Sequence, residues 1–250
     1  MTDAHTTSHA TRLACLLAGL LSATGLACNN GDPGLSEQTP LYRSPNPKSS
    51  EDAGPTSGER GSVQITEINW AGSVTDDGTH DWDDVFIEFQ NKSERTLNMT
   101  GWRLKVRGDH DDTFRIPEVP PISTNEYLVI AHKKDGAFGE VADGFIEDLD
   151  LGRKFLKLEL QDADERLMGS AGSEHRKVFT GGWDTVTVRS MERVQLLFTN
   201  SGTSSRSWHA YSSNEGLETI AEGYRKHTLA SPGRANSTDY SGSTSSGNFN

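Results

Sequence analysis

No cysteine occurs after residue 28; the two in the chain, Cys15 and Cys28, both lie near its start. The rest of the chain can therefore hold no disulfide and no thiolate metal site, and any fold built there rests on its apolar core. Apolar residues are themselves scarce. The 250 residues are 33% hydrophobic with a mean hydropathy of -0.62, low for a chain packed throughout, so part of it is expected to be unpacked. Basic residues are outnumbered, 24 Lys and Arg against 36 Asp and Glu, for a formal net charge of -12. Such a surface repels phosphate backbones and argues against nucleic-acid binding. Catalytic signatures are missing as well: there is no G-x-S-x-G, H-E-x-x-H, P-loop or G-x-G-x-x-G. His80, His110, His132, His175, His209 and His227 are scattered with no pair at metal-ligand spacing. No catalytic residue is identified, and the chain is not expected to be an enzyme.

What is present begins with an address. Leu13 to Ala27 runs without a charge behind Arg12, too short to span a bilayer as a helix and suited to the apolar region of a secretory signal. It stops at Cys28, preceded by Gly25, Leu26 and Ala27. Residues 1–28 thus resemble a bacterial lipoprotein signal, in which the cysteine is acylated and becomes the new N-terminus. The departure is Gly25 three places before Cys28, where leucine is usual. Cleavage after Gly25 would instead give a freely secreted protein. Acylation is the favoured reading, because free secretion leaves an unpaired thiol just inside the mature terminus. It implies a membrane partner through the lipid and a place in the cell envelope, at the outer membrane or cell surface.

Residues 29–60 carry five of the nine prolines, four glycines and five serines, too few apolar groups to offset the entropy of ordering them. As a flexible coil this linker spans ~30 Å, with an upper limit of roughly 110 Å. Residues 237–250, with five serines and two glycines, read as a second loose tail. Between them, residues 61–236 hold all five tryptophans and eight of the nine phenylalanines, which marks the region able to form a core.

Within that region the apolar residues recur at strand spacing. In 63–69, Val63 and Ile65 alternate with Gln64 and Thr66. In 84–91, Val85, Ile87 and Phe89 share one face and Phe86, Glu88 and Gln90 the other. Further strands are read at 101–106, 113–116, 126–131, 155–162, 166–168, 185–190, 193–198 and 206–211. Pro117, Pro120 and Pro121 break the pattern, since proline cannot sit in a central strand. Residues 135–150 read as a long acidic surface loop, and 213–228 has room for one turn of helix. Short strands at this spacing, separated by polar turns, predict an all-β sandwich.

Five stretches carry a family resemblance: Gly61–Ile68, Phe86–Ser93, Met99–Leu104, Phe114–Pro117 and Tyr127–Ile130. Ser190–Val194, Ser207–His209 and Ser231–Asn236 extend it. Together they resemble the lamin tail domain in its secreted bacterial form. The resemblance implies an immunoglobulin-like β-sandwich over 61–236 with no catalytic residues. It places Trp102, Phe86, Ile87 and Phe114 in the core, Asn91 at a strand end and Gly101 where other residues are strained. A monomer is expected.

An acidic insertion at 73–84 and the acidic loop at 135–150 depart from that pattern. Asp76, Asp77, Asp81, Asp83 and Asp84 lie within nine residues, and carboxylates so crowded stay solvated or are bridged by a hard cation such as calcium. Asp109, Asp111 and Asp112 form a weaker cluster, which a sandwich could bring to the same end. Trp82, an aromatic amid those charges, is the candidate contact residue for a protein or polysaccharide partner.

Overall fold

The computed structural model describes residues 60–194, 201–213 and 216–238. The leader with Cys28, nearly all of the linker and the end of the tail lie outside these residues.

Fifteen strands follow in order: β1 Val63–Asn69, β2 Ser73–Val74, β3 His80–Asp81, β4 Phe86–Asn91, β5 Arg103–Gly108, β6 Asp112–Arg115, β7 Tyr127–Ala131, β8 Gly144–Phe145, β9 Phe155–Gln161, β10 Leu167–Lys177, β11 Gly182–Trp183, β12 Val188–Arg189, β13 Met191–Arg193, β14 Trp208–Ala210 and β15 Thr228–Leu229. A six-stranded sheet of order β14-β13-β1-β4-β7-β8 faces a four-stranded sheet of order β10-β9-β5-β6. This is the β-sandwich that the alternation predicts.

The smaller sheet keeps that alternation cleanly. Leu104 and Val106 of β5 and Leu156, Leu158 and Leu160 of β9 point inward and are buried. Lys157 and Glu159 point outward and pair at 2.8 Å. Trp102, just before β5, has no exposed surface and packs in the main core with Ile65, Ile87, Phe89, Leu128 and Met191. Gly101 beside it has φ +79°, a conformation open to glycine at little cost. Asn91 ends β4 by donating from Nδ2 to the carbonyls of Arg95 and Ile122 at 2.7 and 3.0 Å. Phe86 and Ile87 are fully buried. Phe114 is only half-buried, because β6 is the edge of its sheet.

The larger sheet departs from the one-sided pattern. Every residue of β4 is buried, since its outer face is covered by a second cluster in which Phe86, Val129 and Ala131 meet Ala137, Phe138, Ile220 and Ala230. Residues 135–150 are therefore not simply a surface loop: Ala137 and Phe138 dock onto the sheet, with Phe86 and Phe138 ring centroids 4.6 Å apart, and β8 extends it. The alternation within β1 also breaks. Ile65 pairs with Phe89 but Glu67 pairs with Glu88, so Thr66 is an extra, bulged residue that shifts the facing of all that follows. Ile65 and Ile68 consequently both face the core, and Glu67 is turned to the outer face beside Glu88.

Smaller differences lie in the second half of the chain. The expected strand at 185–190 contracts to β12, and the one at 193–198 is reached only by β13, since 195–200 lie outside the described residues. Residues 166–168 instead begin the eleven-residue β10. Residues 213–228 contain two 3-10 turns, Leu217–Thr219 and Glu222–Tyr224.

Candidate interaction surface

The β2–β3 hairpin is set by its turn. Gly78 takes φ +90° and donates to the Thr75 carbonyl at 2.9 Å, while Thr75 donates to that of Thr79 at 2.9 Å. Before the hairpin, Gly72 has φ +81°, and a Cβ there would lie 2.0 Å from the Asp81 carbonyl oxygen. Only glycine lets the two strands close at this point.

The five aspartates of the hairpin and the loop after it do not converge. Asp76 accepts from Lys226 N–H at 2.9 Å. Asp77 accepts from Thr79 N–H at 3.0 Å and from the Thr75 hydroxyl, which hold its carboxyl below the usual range. Asp81 meets Lys133 Nζ at 2.5 Å; burial pushes its carboxyl up, but the bonds from Lys133 and Asp83 N–H outweigh this and lower it. Asp83 pairs with Arg153 at 3.1 Å. Asp84 has no exposed surface, and burial raises its carboxyl against hydrogen bonds from Ser73 Oγ at 2.6 Å and Ala137 N–H at 2.7 Å. Each carboxylate is thus committed to a different part of the fold. Among the described residues no three His, Cys, Asp or Glu side chains are placed to hold a metal ion. The loop's carboxylates anchor different parts of the fold, and the buried Asp84 Oδ1 has no hydrogen-bond partner.

Trp82 projects from this loop and meets a partner far along the chain. Trp82 and Trp183 of β11 are 36% and 38% exposed, and their rings contact edge to face with centroids 5.4 Å apart. His80 lies between them, stacked on Trp183 at 4.1 Å and tilted against Trp82 at 4.2 Å. Its Nε2 is 2.8 Å from the Ala71 carbonyl, so Nε2 carries a proton. Arg153 covers one face of Trp82, 4.8 Å from the ring centroid. Trp183 is held by the β11–β12 turn, where Asp184 Oδ1 accepts from Val186 and Thr187 N–H at 3.0 and 2.7 Å. Trp70 braces the strand from beneath and donates from Nε1 to the Thr180 carbonyl at 3.0 Å.

Beside Trp82 opens a groove of about 260 Å³ whose wall includes Asp83, His132, Glu147, Asp148 and Asp150. Residues 150–154 take contacts from both acidic stretches: Arg153 pairs with Asp83, His110 with Asp150 at 3.1 Å, and Asp109 accepts from Lys154 N–H at 2.6 Å. His132 spans the groove between the carbonyls of Asp83 and Glu147. A larger cavity of about 420 Å³ is lined in part by Arg60, Lys92 and Arg193.

Sequence reasoning singled out Trp82 but not Trp183 or His80, because the three are brought together by the folding of two distant hairpins. The exposed tryptophan in a short glycine-rich strand, Gly181-Gly182-Trp183, is the signal that was there to be read. It also missed the buried row Glu67, Glu88 and Glu192 on three neighbouring strands. Their only trace in sequence is that all three sit within the stretches carrying the family resemblance.

The family model described as Lamin Tail Domain matches residues 56–213. No match to a curated protein was found. The packed chain runs on past the match, since Asn236 donates to the carbonyls of Thr66 and Arg193 at 2.9 and 2.8 Å. With well over half of its residues matched, the chain belongs to the lamin tail domain family.

Proposed function

We propose that this protein is a non-catalytic binding module of the bacterial cell envelope, anchored through an acyl group on Cys28, that holds an uncharged polysaccharide on its Trp82–Trp183 surface. The linker 29–60 lets the domain stand away from the membrane and turn toward its ligand. The observation that carries the reading is the exposed pair of indoles at a loop end of the sandwich, beside a groove rich in carboxylates. Indole faces and edges suit the apolar faces of sugar rings, and carboxylates accept hydrogen bonds from hydroxyls. Asp81, Asp83, Glu147, Asp148 and Asp150 outnumber Lys133 and Arg153 there, which disfavours a polyanion. Commitment of the aspartates to N–H, O–H and cationic partners within the chain weighs against the alternative of a calcium- or other metal-dependent module or hydrolase accessory that uses the acidic loops.

The test is depletion of the full chain from solution by insoluble, protein-free envelope polysaccharide. Wild type is depleted, and Trp82→Ala with Trp183→Ala is not. Equal depletion of both refutes the surface. Fractionation of cells expressing Cys28→Ser tests the anchor separately: the variant leaves the membrane fraction, and sedimentation with membranes would show that the lipid is not what holds it.

A further inference from the structure

The outer face of the larger sheet carries a second feature, unrelated to the aromatic end. Glu67 of β1 sits in register with Glu88 of β4 on one side and Glu192 of β13 on the other, and none of the three has exposed surface. Segment 231–237 crosses over them. Ser231 N–H donates to Glu67 Oε1 at 2.9 Å, Gly233 N–H to Glu88 Oε2 at 2.8 Å and Ser237 N–H to Glu192 Oε1 at 3.0 Å. Hydroxyl donors complete the set: Ser190 to Glu67 Oε1 at 2.5 Å, Thr66 to Glu88 Oε1 at 2.6 Å, and Ser237 to Glu192 Oε2.

One hydroxyl is short of hydrogens. Ser231 Oγ lies 3.2 Å from Glu67 Oε2 and 2.5 Å from Glu192 Oε1, yet it has a single hydrogen to give. If it donates to Glu192, the contact with Glu67 Oε2 is favourable only when that oxygen carries a proton and donates back. We propose that segment 231–237 is a proton-held strap, closed over the larger sheet by the acid proton of Glu67 and loosened when that proton leaves.

The groups around the row leave this proton as the means of closing it. From β14, His209 Nε2 stands 3.9 Å from Glu192 Oε2, and its Nδ1 lies 3.0 Å from the Ala210 carbonyl. Arg193 donates to the Ile65 carbonyl at 3.2 Å and lies over Trp208. Arg234, on the strap itself, pairs outward with Glu218 at 2.6 Å. Tyr127 of β7 and Tyr211 complete the surround. Burial, and then the charges of these glutamates, push both phenols up. Burial and the neighbouring Glu192 likewise push the Glu67 carboxyl up to about 8, against the bonds from Ser190 and Ser231, and burial followed by the charge of Glu67 raises Glu88.

Both shifts are upward, so the stability that closure draws from these protons is complete below the ordinary carboxyl value of 4.5. It is lost as pH rises toward about 8. The strap is tightest in acid. Each proton lost on opening raises the opening constant about tenfold per pH unit across that window, after which it levels off.

The experiment is amide hydrogen exchange on the full chain from pH 5 to 9, divided by the intrinsic rate and resolved at Ser231, Gly233 and Ser237, with Val106 and Leu158 of the smaller sheet as reference. Strap protection is expected to fall about tenfold per unit for each proton lost while the reference holds, and Glu67→Gln is expected to reduce the slope by one such decade. A flat wild-type profile overturns the proposal, and so does an equal fall at the reference amides or an unchanged slope in Glu67→Gln. Should that variant not fold, the wild-type profile decides alone.

Discussion

Removing the Trp102 side chain tests the packing on which the domain depends. The indole is wholly buried between the sheets among Ile65, Ile87, Phe89 and Leu128, and no cross-link is available to hold the sheets once the core is weakened. A buried tryptophan removes ~150–250 Å² from water, worth ~4–6 kcal/mol at ~25 cal/mol per Å². Measured Trp→Ala and Phe→Ala losses of about 3–5 kcal/mol agree with that range. Domains have only about 5–15 kcal/mol to lose. Trp102→Ala is therefore expected to lower the midpoint of thermal unfolding by roughly 6–20 °C, read by circular dichroism at the strand signal. The half-exposed Trp82 and Trp183 provide the control, and Trp82→Ala should cost less than about 1 kcal/mol. A Trp102→Ala loss no larger than that of Trp82→Ala would refute a core centred on Trp102.

Other perturbations separate backbone, burial and charge. Gly72→Ala places a methyl group against the Asp81 carbonyl at positive φ, so it should destabilise by more than the ~1 kcal/mol of an ordinary glycine exchange. Urea unfolding measures this, and a neutral result would mean that the hairpin does not close as described. Asp84→Asn keeps an acceptor for Ser73 and Ala137 but removes the buried ionisable group. Because burial raises the Asp84 carboxyl above its ordinary 3.8, its contribution to stability is lost as pH rises from that value, and the variant should gain on wild type as pH is raised from below 3.8 to neutral. A constant difference over that range would contradict the assignment. Asn236→Ala strands the carbonyls of Thr66 and Arg193 and should cost about 1–3 kcal/mol, seen as faster proteolysis near the domain's end.

The sandwich was legible where side chains alternate without interruption, as in 155–162, where Leu156, Leu158 and Leu160 all face inward. The bulge at Thr66 was not. One extra residue reverses which side of β1 faces the core without altering composition, so the alternation of Val63 and Ile65 with Gln64 and Thr66 does not connect Glu67 with its neighbours on β4 and β13. Phe138 was hidden for a different reason: it is flanked by charged and glycine residues, and only the fold shows that Phe86 needs a cover. At the candidate surface, Trp82 was conspicuous because an aromatic among five aspartates is unexpected. Its contacts with Trp183 and His80 depend on the meeting of two hairpins, which no local pattern encodes. Crowding of the aspartates in sequence says nothing of their separate donors, which come from Lys226, Thr79, Lys133, Arg153 and Ser73 at different points of the fold.

The most direct test of the functional account is to follow the indole N–H resonances of the five tryptophans as soluble fragments of envelope polysaccharide are added to the full chain. The account predicts saturable shifts at Trp82 and Trp183 with Trp102 and Trp208 unmoved. Ligand binding that leaves the resonances of Trp82 and Trp183 in place would contradict it.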